Sequence, residues 1–257
     1  MTTFLYVLFW LSLFLIFYNY LLYPLLVFLI SRFRHVKHDC YLPDDEWPSV
    51  CLIIPAVADP KTIKAKIENT LRLYYPENKL MLLAVSDKND EAVQALLANY
   101  KKHRIINFCK RGIDSHYHAL DLGAKLAKSD IVVMSDIRNE FNDMVLMKLA
   151  RHFKDPSVGA VSGVRSLYTI RSNQQGFGDN LYWKFETFIK NAESRIGSIT
   201  AAAGEILAIR KSLYQPVAKD YINFDSAITF DLVKQGYRVI LDDEALSLMG
   251  SSRDMKN

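Results

Sequence analysis

The first thirty positions are apolar with almost no break. From Phe4 to Ile30 no residue is charged, and only Ser12 and Asn19 are strongly polar. Helical residues in that number extend about 40 Å, against a hydrocarbon core of roughly 30 Å. The pattern predicts a tilted or kinked membrane anchor over residues 1–31, with Pro24 as the kink. A cleaved signal peptide fits less well. The run is too long, the first residues carry no Lys or Arg, and no small-residue cleavage site follows.

A polar linker over 32–48 ends in Asp44, Asp45, Glu46 and Pro48. Beyond it, over 49–257, strand-like and helix-like runs alternate. The continuous apolar run SVCLIIPAV (49–57) reads as a strand buried on both faces. In 60–75, Pro60 opens a helix with Ile63, Ile67, Leu71 and Tyr74 on one face. KLMLLAVSD (79–87) is a second strand ending in a carboxylate. A helix over 90–102, a strand over 104–109, a helix near 116–128, a strand over 130–136 and a helix over 143–154 follow. Such alternation requires crossovers, hence an α/β domain with a mostly parallel sheet. Ligands of such sheets bind beyond the carboxyl ends of the strands, where Asp87 and Asp136 fall.

The second half is less regular. Residues 157–170 read as a strand, and 180–198 as an amphipathic helix carrying Trp183, Phe185 and Phe188. A small-residue turn leads into a short strand over 201–214. Residues 225–243 give a helix, a stop at Gly236 and a strand.

Charge adds an orientation. Arg32, Arg34 and Lys37, with His35 and His38, follow the apolar run, and nothing basic precedes it. The positive-inside bias predicts a cytoplasmic domain on a single-pass cell-membrane protein. The formal net charge of +4 is mild. With a basic collar it suits an anionic lipid surface, and no nucleic-acid motif is present. Cys51 and Cys109 lie in apolar strand-like runs, as reduced core thiols do, and no metal-ligand spacing joins the three cysteines.

The phrases IIPA, KIENTLRLYYPENKLMLLAVSD, ALDLGAKLAKSDIVVMSD, HFKDPSVGAVSG, YWKFE, ESRIGS, AIRKSLY and QGYRVI, in this order over about 49–245, resemble the family 2 glycosyltransferases of GT-A fold. The membrane-bound, polysaccharide-synthase-like branch is the most similar. The resemblance implies a nucleotide-sugar site at the sheet edge, UDP favoured, and transfer to an acceptor at the membrane face.

The family's residues carry over unevenly. Pro55 lies in the first-strand motif, and Asp59 survives in the loop expected near the uridine, whose usual Glu is Pro60. Asp87 matches the aspartate that hydrogen-bonds the uracil. His116 replaces a lysine that meets the diphosphate, and Asp121 an asparagine. Asp136 matches the first acid of the DxD motif, near ribose and metal. Its last acid, a principal metal ligand, is here Arg138. Asp225 matches the base that deprotonates the acceptor, with Phe224 in place of its usual acidic neighbour. Gly204 and Glu205 fall on the acceptor side. The Gln-x-x-Arg-Trp motif of the polymerising branch is missing, and Asn257 ends the chain where it would follow.

Transfer from a nucleotide sugar builds charge on a departing diphosphate, which a divalent metal held by carboxylates offsets. Asp136 alone predicts weak Mn2+ or Mg2+ binding. Arg138 can meet two phosphate oxygens itself, or pair with Asp136 or Glu140 and close the site. Blander readings stand beside these. Asp87 and Asp136 suit strand-end turns, Asp225 a helix N-cap, Gly204 a tight turn, and the 182–188 helix a core or interfacial element. His116 and His118 form an HxH pattern, read as solvated. Two functions remain. One is a membrane-anchored transferase acting on a lipid-linked or polysaccharide acceptor. The other is an inactive transferase-like subunit that supports an active synthase.

Overall fold

The computed structural model describes residues 2–34, 43, 46–167, 177–217 and 223–249. The basic residues His35, Lys37 and His38, the acids Asp44 and Asp45, and the expected strand end at 168–170 lie outside them. A continuous helix runs from Thr2 to Arg32, long and apolar enough to cross a membrane. It comprises α1 (Thr2–Phe17) and α2 (Tyr23–Arg32), joined by a π-helical turn over Tyr18–Leu22. Pro24 stands two residues past this turn. Proline has no N–H for the preceding turn and its ring crowds the carbonyl four residues back, and a widened turn absorbs both effects without breaking the helix.

Trp47, at the end of the expected linker, is fully buried against Tyr75. From there β1 (Val50–Ala56), α3 (Pro60–Thr70), β2 (Leu80–Asp87), α4 (Glu91–Asn99), β3 (Ile105–Lys110), α5 (His116–Leu126) and β4 (Ile131–Ser135) alternate as read from the periodicity. Helix α3 ends earlier than expected. Leu71 and Tyr74 are exposed, and Leu73 and Tyr75 are buried in their place, because the chain leaves the helix after Thr70. Then come β5 (Asn139–Phe141), α6 (Val145–Ala150), β6 (Val158–Leu167), α7 (Phe177–Ile196), β7 (Ile206–Arg210), α8 (Phe224–Lys234) and β8 (Arg238–Met249).

Among the described residues the strands form one sheet in the order β3-β2-β1-β4-β7-β6-β8-β5. The first four are parallel. Strand β7 runs antiparallel to β4 and β6, β6 and β8 are parallel, and β5 closes the edge antiparallel to β8. Successive side chains of a strand point to opposite faces. Accordingly Val50, Leu52 and Ile54 of β1 join a core with Ile63, Ile67, Val93, Leu97 and Val145 of α3, α4 and α6. Cys51 and Ile53 join a second core with Ala119, Leu120, Phe224 and Ile228 of α5 and α8. Cys109 does not share the burial expected for it. It is exposed because β3 is an edge strand. Gly236 stops α8 as expected, at φ +88°, where a side chain would be strained.

Candidate active site

The parallel half of the sheet sends its strands the same way, so the helices that follow begin at one edge. α3 and α5 start there, and α8, although it follows the antiparallel β7, begins at the same edge. Their first residues Asp59 and Thr62, His116 and Tyr117, and Asn223 and Asp225 line a cleft of about 660 Å3. Helix N-termini carry partial positive charge and unpaired N–H groups, so three of them favour an anion.

Register brings the acids together. Antiparallel pairing sets Ser135 of β4 opposite Ile206 of β7, and therefore Asp136 beside Glu205, whose carbonyl accepts from the Asp136 N–H at 3.2 Å. Glu205 pairs with Arg165 at 3.0 Å, and the Arg165 guanidinium lies 5.3 Å from the Trp183 ring centre. A Cβ on Gly204 would lie 2.7 Å from Asp225 Oδ2. Gly204 and Glu205 form a turn, as the simpler reading has it, and that turn approaches the carboxylate this closely because it carries glycine. Asp225 lies in the first turn of α8, and Asn223 occupies the N-cap position, so the capping reading of Asp225 is overturned.

Asp136 and Arg138 face the same cleft. The Arg138 backbone N–H donates to Asp136 Oδ1 at 2.7 Å, a tight turn, and its Nε stands 3.6 Å from the same oxygen. The Arg138 side chain is 67% exposed. An exposed pair of this kind contributes about 0–1 kcal/mol. Charge-assisted hydrogen bonds to a phosphate contribute about 1.5–3 kcal/mol, so a phosphate would compete with Asp136 for this guanidinium. The donors do not fit a divalent cation. Asp136 already accepts from its neighbour, a guanidinium stands where a second ligand would, and among the described residues no three His, Cys, Asp or Glu side chains converge. Asp121 is turned away, bound by Tyr214 at 2.7 Å and Lys125 at 2.6 Å, and neither it nor Glu140 lines the cleft.

His116 lines the cleft as expected. Burial lowers its pKa, opposed by Asp136 and aided by Arg138 and Lys66, so near neutral pH it offers a hydrogen bond and no charge. His118 pairs instead with Asp114 at 3.2 Å. Asp59 caps α3, accepting from the Thr62 N–H at 3.0 Å and hydroxyl at 2.6 Å. Pro55 is buried in β1 and does not reach the cleft, because alternation turns it to the same face as Cys51 and Ile53. Asp87 lines a neighbouring depression that shares Val57 and Ala58 with the cleft. Its carboxylate holds the N–H groups of Asn89 at 2.6 Å, Gly112 at 2.9 Å and Ile113 at 3.0 Å. These hydrogen bonds lower its pKa.

Sequence reasoning missed two features. The first is Lys66 of α3, fully buried behind the Asp136–Arg138 turn. Its Nζ donates to the Asn139 carbonyl at 2.7 Å and lies 3.6 Å from the Phe141 ring centre. Burial lowers its pKa to about 7, with Asp136 and Glu140 opposing. The signal was a lysine on the same helical face as Ile63, Ile67 and Thr70. The second is the division of α7. Trp183, Glu186, Thr187 and Lys190, at helical spacing, wall the cleft. Phe185 and Phe188 turn to the N-terminal helix, stacking on Tyr20 and packing against Phe28, and Glu193 accepts from Tyr23.

A mannosyltransferase from Pyrobaculum calidifontis, solved with GDP-mannose and Mn2+, has a similar structure, with a TM-score of 0.73 at 20% identity over 91% of this chain and 66% of that one. GalNAc-T7, solved with UDP, GalNAc and Mn2+, gives a TM-score of 0.62 at 13% identity over 83% of this chain and 45% of that one. Such identities speak to the fold alone, and that fold is GT-A. An N-acetylglucosaminyltransferase of Rhizobium sp. (strain N33) is 27% identical over 177 residues, which cover 65% of this chain and 38% of that protein. The family model described as Glycosyltransferase like family 2 matches residues 48–246, and the chain belongs to that family.

Proposed function

We propose that this chain is a membrane-anchored transferase that moves a sugar from a nucleotide sugar, a UDP-sugar first, to a lipid-linked or polysaccharide acceptor. The observation that carries the reading is the convergence of Asp59, His116, Asp136, Arg138, Gly204, Glu205 and Asp225 on one cleft. The mannosyltransferase and GalNAc-T7 structures, solved with nucleotide and sugar, support the substrate class.

In this reading Asp225 takes the proton of the acceptor hydroxyl, and the oxygen attacks the anomeric carbon. The bond from that carbon to the diphosphate oxygen breaks, and the nucleoside diphosphate leaves with the electron pair. Arg138 and the N-terminus of α5 meet its charge, and His116 donates a hydrogen bond to it. One guanidinium neutralises less charge than a divalent ion, so turnover is slow. Packing of α7 on α2 supports a retained anchor, since a cleaved leader leaves no partner for Phe185 and Phe188. The basic flank of the helix supports a cytoplasmic domain. The test of activity is incorporation of labelled sugar into the lipid and polymer fractions of membranes carrying the wild type or Asp225→Asn. Incorporation by the wild type alone is expected. Equal incorporation by both removes Asp225 from the mechanism.

A second reading, an inactive subunit that supports an active synthase, draws on one observation. Three backbone N–H groups already engage the Asp87 carboxylate that would read the base. It predicts no incorporation by the wild type and co-purification with a synthase.

A further inference from the structure

Behind the cleft, on the far side of Leu241, lies a second cavity of about 240 Å3. Arg34, Arg151, Arg195 and Arg238 line it, facing Asp242 and Asp243. Both acids are engaged. Asp242 accepts from Arg151 and His152, each at 2.7 Å, and Asp243 from Asn191 at 2.8 Å. Arg238 caps the end of α7 through the carbonyls of Ser194 at 2.9 Å and Gly197 at 3.2 Å, which offsets the negative end of that helix. Among the described residues neither Arg34 nor Arg195 makes an ion pair. Arg151 is itself held by Asp242 and by Glu244, each at 2.7 Å, and Arg238 stands 3.5 Å from Asp155, so Arg34 and Arg195 carry the positive charge that the described residues leave without an ion pair.

The position of the cavity says which anion it meets. Arg34 lies two residues beyond α2, whose outer face keeps Leu25, Leu26, Leu29, Ile30 and Phe33 exposed. Beside it α7 exposes Leu181, Tyr182 and Phe188. Phe188 packs on Phe28, so the two helices share one apolar surface, which along the N-terminal helix runs on to Phe33 beside Arg34. In a bilayer, the boundary between such a surface and a row of arginines lies at the headgroups. The volume equals that of about eight waters, enough for a phosphate with a short polar headgroup and too little for acyl chains.

We propose that the cavity between Arg34, Arg195 and Arg238 binds the phosphate of an anionic membrane lipid, holding α7 in the position where its other face walls the cleft. The proposal rests on the membrane-anchor reading of the N-terminal helix.

The test uses the full-length protein in phosphatidylcholine nanodiscs containing rising fractions of phosphatidylglycerol, with thermal unfolding as the readout. The wild-type midpoint is expected to rise and saturate. Arg34→Gln with Arg195→Gln is expected to shift the half-saturating lipid fraction about a hundredfold, from about tenfold for each charge-assisted hydrogen bond to the phosphate, and to leave the midpoint in pure phosphatidylcholine unchanged. Arg32→Gln with Lys184→Gln, both outside the cavity, removes the same charge and is the control for general surface attraction, with a shift of no more than about 25-fold. Equal effects of the control and the double variant overturn the site. So does a wild-type midpoint indifferent to phosphatidylglycerol, or one raised equally by inorganic phosphate in pure phosphatidylcholine. A protein that does not enter nanodiscs contradicts the anchor itself. One that enters and ignores the anionic lipid contradicts only the lipid site.

Discussion

Asp225 Oδ2 occupies the space a side chain at residue 204 would need, 2.7 Å from the Cβ that Gly204 lacks. The contact is with the end of a mobile side chain, so a methyl group there moves the carboxylate rather than the backbone. Gly204→Ala is therefore expected to lower the transfer rate about a hundredfold, the scale of a displaced general base. The unfolding midpoint should barely change. An unaltered rate removes Asp225 as the base.

Asp87 anchors the loop at Gly112 and Ile113 before any nucleotide arrives. Asp87→Ala should speed amide exchange at both residues and weaken UDP binding. Its folded-state pKa is lowered, so the stability it adds is present above the ordinary aspartate value and is lost as pH falls through the folded value. Unchanged exchange in the variant would mean the loop is held by something else.

Lys66 predicts a pH dependence of the same sign in a higher window. Burial puts its pKa at about 7 against 10.5 for an ordinary lysine. Between those values the unfolded chain binds the proton more tightly, so the cost of burying the charge is full below about pH 7 and shrinks as pH rises. Chemical unfolding in detergent should show the wild type gaining about 2 kcal/mol from pH 7 to 9 relative to Lys66→Met. Parallel pH profiles would show that Lys66 keeps its proton throughout that range.

The elements that were legible in the sequence are those with a period. The long apolar run, the parallel strands and the helices between them all showed, as did Asp136 at a strand end. What failed depends on long-range contact. Strand β5, three residues at Asn139–Phe141, is too short to display alternation and exists through pairing with β8. Cys109 reads as core until the sheet order makes β3 an edge. Asp136 and Glu205 meet through the register of β4 with β7, which no local pattern announces. Family resemblance named Gly204 and Asp225, and only the fold shows why the pair requires glycine.

With Arg138 standing where a metal-binding acid is expected, the nucleotide site proposed for the cleft is independent of metal. Arg138→Asp, which restores two carboxylates beside each other, should abolish metal-free binding and create binding that needs manganese. The direct measurement is calorimetric titration of UDP into the full-length protein, with and without Mn2+. Binding is expected in both, with affinities within about threefold of each other, less than about 1 kcal/mol. No heat at millimolar UDP, or binding only with Mn2+, would contradict it.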